Sequence, residues 1–160
     1  MSTGGEFIAT NVEIYLQIAE EAFESMEKAF EGGRRKRADG EGWIITLDPT
    51  HRSFKSAIIY ITFSGMWLEA KLHLTVSQRY GKTAAKKVDR RDYESKLELL
   101  GLLDAVLRFK LKDFRGLRRE LMHEKALFDR QNSRYAQHEA RKVRTLMQEL
   151  QKRFNAVGKG

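Results

Sequence analysis

One proline in 160 residues, Pro49, is the strongest constraint this sequence places on its fold. Proline removes a backbone donor and clashes with the preceding helical turn, so its near-absence leaves long stretches on either side free to be helical. From Val12 to Phe30, Ile14, Ile18, Ala22, Met26 and Phe30 recur at intervals of four, and Tyr15, Ala19, Phe23 and Ala29 widen the stripe. This predicts an amphipathic helix with one buried face, capped by Asn11, after a frayed segment over 1–10. Gly32-Gly33 ends it. The run Arg34-Arg35-Lys36-Arg37 and the glycine-punctuated Ala38 to Gly42 read as an exposed, solvated loop. Trp43 to Leu47 is short, β-branched and apolar; with no evident partner strand it is expected as an extended segment packed on the helices. Asp48-Pro49-Thr50 is turn chemistry.

A second helix is predicted over Ser53 to Tyr80. Its middle, Ala57 to Leu68, is apolar nearly all round, so it is expected at the centre of the bundle or against a second subunit, with Gly65 allowing a close helix crossing. Gly81-Lys82 breaks it, and a basic loop is expected up to Asp89. A third helix is predicted over Tyr93 to Leu111, its buried side marked by Leu97, Leu100, Leu103 or Asp104, Leu107 and Leu111. A fourth, from a capping Asp113 to about Lys125, turns Phe114, Leu117, Leu121 and Met122 inward. The last, Tyr135 to Phe154, carries Val143, Leu146, Met147, Leu150 and Phe154 on one stripe. The expected fold is all-α: a single domain over 1–160, core about 12–154, as a four- to five-helix bundle with at most one short extended segment. The wide apolar surface of the second helix predicts a two-fold homodimer.

Composition narrows the function classes. There is no cysteine, which excludes disulfides and thiolate metal sites and suits a reducing compartment. No signal peptide or membrane span is visible, so the expected location is the cytoplasm, without membrane attachment. The formal net charge of +8 favours an anionic partner, nucleic acid being the usual one. His51, His73, His123 and His138 show no metal-ligand spacing, and neither a Walker-type phosphate loop nor a nucleophile elbow occurs, so no metal or cofactor is expected.

The densest chemistry lies in Phe114 to Lys125, with Arg115, Arg118, Arg119, His123 and the carboxylates Glu120 and Glu124. Arg115, Arg119 and His123 share one helix face; Arg118 lies about 140° away from His123 and meets it only if the helix ends or bends, or if a second subunit completes the site. A histidine can take the proton of an RNA 2′-hydroxyl near neutral pH, and a guanidinium can pair with the charge that builds on the phosphorus oxygens. The plain alternative is a solvated pair of arginines beside a histidine at a helix end. Glu69, the lone acid at the end of the apolar stretch, either orients Arg118 or His123 or marks where the helix emerges. His73 reads as a surface or satisfied interior residue. Arg130, Arg134 and His138 form a second basic cluster that reads as RNA-binding in the same cleft or as a solvated face. The basic run at 34–37 reads as a solvated loop rather than a phosphate grip, and Trp43, Trp67 and the phenylalanines read as core rather than as base-stacking platforms.

The sequence Arg118-Arg119-Glu120-Leu121-Met122-His123 resembles the arginine-to-histidine motif of the HEPN superfamily, at the shortest spacing of that motif. Phe114 and Leu117 stand before it as in "F-x-x-L-R-x-x-L-x-H". Gly65 to Ala70 resembles the helix carrying an "L-E-A" stretch, and Lys96 to Leu100 the start of the following one. Members often have asparagine, aspartate or histidine directly after the arginine, where this chain has Arg119. The resemblance implies a small dimeric helical bundle acting as a metal-independent endoribonuclease in a toxin–antitoxin or defence setting, with an antitoxin protein as a further partner. Arg118 and His123 would be catalytic and Glu69, Arg119 and Glu120 supporting, while Arg115, Arg130, Arg134 and His138 would bind RNA. The alternative within the same family is a non-catalytic module that binds nucleotide, RNA or a protein.

Overall fold

The computed structural model describes residues 4–45, 50–122 and 135–157. Among them the chain runs as helix α1 (Gly4–Gly32), strands β1 (Arg34–Lys36) and β2 (Trp43–Ile45), then helices α2 (Arg52–Tyr80), α3 (Lys82–Val88), α4 (Tyr93–Leu99), α5 (Ala105–Met122) and α6 (Ala136–Val157). The fold is an all-α bundle with one small antiparallel ribbon. None of the described helices is long and apolar enough to cross a membrane.

Helix α2 is the axis. It packs along α1 and also touches α3, α4, α5 and α6. Its buried residues include Ala57, Tyr60, Ile61, Trp67, Leu68, Leu72 and Val76. Five elements of the same chain thus cover much of the apolar surface that suggested a second subunit, though Phe54 and Ile59 stay exposed. The large apolar side chains left most exposed lie elsewhere, above all Phe109 and Val106 on α5. α1 matches α2 in length, both at 29 residues.

The helix boundaries depart from expectation for local reasons. α1 begins at Gly4, so the segment expected to fray is helical and Asn11 lies inside the helix rather than at its cap. Its buried stripe is Val12, Ala19, Ala22, Phe23, Met26 and Phe30, whereas Ile14 is exposed. Strict spacing of four drifts around a helix: sixteen residues at about 100° each leave Ile14 some 160° from Phe30. The expected third helix is split between α4 and α5, and Asp113 lies within α5 rather than capping a fourth. Gly101, at φ 71°, makes the break. Its N–H bonds to Glu98 O and that of Leu102 to Leu97 O, each at 2.9 Å, the paired closure of a Schellman motif. Asp104 then caps α5 by accepting from Leu107 N at 2.8 Å. Arg153 of α6 locks the corner, donating to Leu102 O at 2.9 Å and to Asp104 Oδ2 at 2.6 Å. The expected basic loop after Gly81 contains α3, which buries Ala85.

The basic run at 34–37 is not a free loop. β1 pairs with β2 in the register Arg34↔Ile45, Arg35↔Ile44, Lys36↔Trp43. Gly40 and Gly42, at φ 77° and 88°, make the reversal between them possible. Trp43, expected in the core, is 56% exposed, while Trp67 is buried as expected. The remainder of the expected extended segment, Thr46 and Leu47, lies outside the described residues.

Candidate functional site

A cleft of about 420 Å³ opens where α5, the start of α4 and the outer face of α2 meet. It is lined by Glu69, Arg90, Arg91, Asp92, Tyr93, Arg115, Arg118 and Arg119. Five guanidiniums therefore face two carboxylates, in a chain that is already basic.

Arg118 forms the floor. Its side chain is 15% exposed and lies across α2 at Gly65. A Cβ at that position would overlap the guanidinium, so Gly65 makes room for a side chain, not for the helix crossing expected of it. Nη1 of Arg118 donates to Glu69 Oε1 at 2.9 Å and to the Tyr93 hydroxyl. The Tyr93 hydroxyl in turn donates to the same Glu69 oxygen at 2.9 Å. These three groups close a triangle around Nη1 that holds that end of the side chain, while the buried Nε has no hydrogen-bond partner. Burial pushes the Tyr93 pKa up, with Arg118 opposing and Glu69 adding to the rise, so the phenol keeps its proton. The Tyr93 ring stacks near Phe114, at 6.2 Å between centroids, which fixes it from behind.

Arg115 forms one wall. It bonds Asp92 Oδ2 at 3.1 Å and Glu94 Oε2 at 3.3 Å. Asp92 also caps α4 through Ser95 N at 2.9 Å. The hydrogen bonds from Ser95 first, and then Arg115, hold its carboxyl below the usual carboxylate range. Arg90, Arg91 and Arg119 are exposed and have no ion-pair partner among the described residues. The cleft thus has two tiers: arginines locked by carboxylates at the base, and loose arginines at the mouth. Such an arrangement suits a phosphate, because preset donors lose little entropy on binding and loose cations can follow a polyanion.

Of the residues singled out from sequence, Arg118, Glu69, Arg119 and Arg115 come together here. For Glu69 the orienting alternative holds: it is half exposed and bonds Arg118. Glu120 is exposed on α5, engaged elsewhere, and does not line the cleft. His138 lies on α6 beside Tyr135, 5.6 Å between ring centroids, and is not in the cleft lining. Its neighbour Gln137 bonds Ser53, about 24 Å along α2 from Glu69. His73 pairs with Asp89 at 3.3 Å on the surface. His123, Arg130 and Arg134 lie outside the described residues, and α5 is unbroken from Arg118 to Met122.

Tyr93, Asp92, Arg90 and Arg91 were not singled out from the sequence. The available signal was local: two arginines directly before an aspartate, with serine three residues on, place a basic pair at a helix cap. No three histidine, aspartate or glutamate side chains converge to hold a metal ion among the described residues. Compared with known proteins, the chain matches no family model, no curated protein and no solved structure.

Proposed function

We propose that this chain is a metal-independent endoribonuclease of HEPN type, cleaving cytoplasmic RNA by 2′-hydroxyl attack in a toxin–antitoxin or defence system. The observation that carries the reading is the immobilised Arg118 at the base of an arginine-lined cleft. In this scheme His123 takes the 2′-hydroxyl proton and the oxygen attacks phosphorus. The phosphorus–5′-oxygen bond breaks and the 5′-oxygen takes a proton from water, leaving a 2′,3′-cyclic phosphate, and the protonated His123 returns its proton to solvent. Arg118 pairs with the charge that builds on the phosphoryl oxygens, a role worth about a hundredfold or more in rate. Arg119, Arg90 and Arg91 hold the flanking phosphates. Two copies would share one cleft; the exposed Val106 and Phe109, nine residues and so half a turn round α5 from Arg115 and Arg118, offer a separate apolar face. An antitoxin protein would be a further partner.

One feature favours the second reading, a non-catalytic module for RNA or nucleotide. Arg118 already commits Nη1 to Glu69 and Tyr93, which suits a residue that shapes a binding cleft. Incubation with RNA in EDTA separates the two. The nuclease reading expects cyclic-phosphate products from the wild type and none from Arg118→Ala or His123→Ala, with the helical circular-dichroism signal preserved. Equal cleavage by both variants, or binding without cleavage by the wild type, rejects it.

A further inference from the structure

The β1–β2 ribbon stands apart from the cleft and carries a pattern of its own. In the observed register Lys36 and Trp43 share one face and Arg35 and Ile44 the other. Trp43 is 56% exposed and Ile44 39%, and neither belongs to the hydrophobic core. Both faces of the ribbon are therefore open. A two-stranded ribbon is marginal by itself, and an unpacked tryptophan on it adds nothing to folding. The Lys36 ammonium sits 5.9 Å from the Trp43 ring centroid, at the outer limit of a cation–π contact, so the ring face is easily given up to a better partner. Arg35 and Lys36 have no ion-pair partner among the described residues, while Arg37 is held by Asp39 at 2.9 Å.

We infer that this ribbon is a second binding site, for single-stranded nucleic acid: one unstacked base lies on Trp43 while Lys36, on the same face, contacts the flanking phosphate. Aromatic faces bordered by cations bind single strands without reading sequence, since every base offers a π-face. Strands of three residues span about 10 Å, a footprint of that size. The charge layout argues against a lipid surface. Asp39 and Glu41 occupy the tip, the part that would enter an anionic headgroup layer first, whereas the cations lie along the flank. The inference is independent of catalysis in the cleft.

Titration of the protein with short oligouridylate and oligodeoxythymidylate, read by tryptophan fluorescence and by anisotropy of labelled oligomer, tests it. Trp67 is 3% exposed, so quenching reports Trp43. Both oligomers are expected to quench, because neither stacking nor phosphate contact needs a 2′-hydroxyl. Trp43→Ala should raise Kd roughly tenfold, and Trp43→Phe should restore most of the affinity. Lys36→Ala should lower the slope of log K against log salt by about 0.7, whereas Arg35→Ala, on the opposite face, should leave it unchanged. Arg90→Ala with Arg91→Ala in the cleft should leave the quenching intact, which keeps failure of the two sites distinguishable. Binding without quenching, or Trp43→Ala and Trp43→Phe behaving alike, overturns the proposal. So does blue-shifted emission on phosphatidylglycerol vesicles with no response to either oligomer.

Discussion

Replacing Gly65 with alanine should damage the cleft while barely touching stability. A methyl carbon there falls 2.6 Å from Arg118 Cδ and closer still to the guanidinium. No backbone atom is among the nearest neighbours, so the flexible arginine moves and the helix stays. The movement breaks the bonds to Glu69 and Tyr93. A shielded hydrogen bond to a charged group contributes about 1.5–3 kcal/mol. Glu69 is 53% exposed, which brings the loss toward the ~1 kcal/mol of a surface pair. Alanine for glycine inside a helix contributes about 0.8–1 kcal/mol the other way. The two offset, so thermal melts should agree with wild type within about 4 °C. RNA affinity should nonetheless fall roughly ten- to hundredfold, the value of one displaced charged donor. Gly116 is the matched control: it lies in α5 beside Arg115, and a Cβ there meets nothing within 4 Å. Gly116→Ala should melt about 2–4 °C higher with unchanged affinity. If Gly65→Ala binds labelled RNA as tightly as Gly116→Ala, the seat of Arg118 does not govern the cleft.

Three further outcomes follow from the packing. Hydrogen bonds from Leu107 N and then Arg153 hold Asp104 below its ordinary 3.8, and Lys110 and then Arg153 hold Glu149 below its ordinary 4.5. Stability from such depressed carboxyls is fully present above the unfolded values and is lost as pH falls through the folded ones. Melting temperature should therefore drop below about pH 4, and less steeply in Asp104→Asn with Glu149→Gln. Leu72, fully buried on α2, should cost about 2–5 kcal/mol when cut to alanine, read by urea denaturation. Phe109→Ala, at a side chain 75% exposed, should change monomer stability by no more than about 0.5 kcal/mol, but should lower the mass seen by light scattering if the α5 face pairs two copies.

The helical character of the chain was legible because it depends on repeated local signals, above all the apolar stripes of α1 and α6 and the continuous apolar run of α2. What escaped depends on single residues or distant partners. Gly101 alone splits the third helix, through a positive φ that no stripe reveals. The ribbon needed a basic strand as partner for Trp43 to Ile45, and four consecutive cations do not advertise pairing. At the site, Arg118 and Glu69 were each readable as polar residues beside apolar ones, but 49 positions separate them, and only the fold joins them. Tyr93 stands in the sequence only as the start of a helix, and its hydroxyl meets both.

The corner at Gly101 also works as a gauge. Asp92 and Tyr93 stand on one side of it and Arg115 and Arg118 on the other, so the chain between them acts like a calliper with its pivot at residues 100–104. Arg153 is the set-screw, gripping Leu102 and Asp104 from α6. The separation of the two sides is thus set at the corner as well as by the Arg115–Asp92 and Arg118–Tyr93 contacts that close the base of the cleft. Lengthening the corner by one residue would have to break those contacts to widen the cleft, so the corner and the ion pairs hold one spacing together.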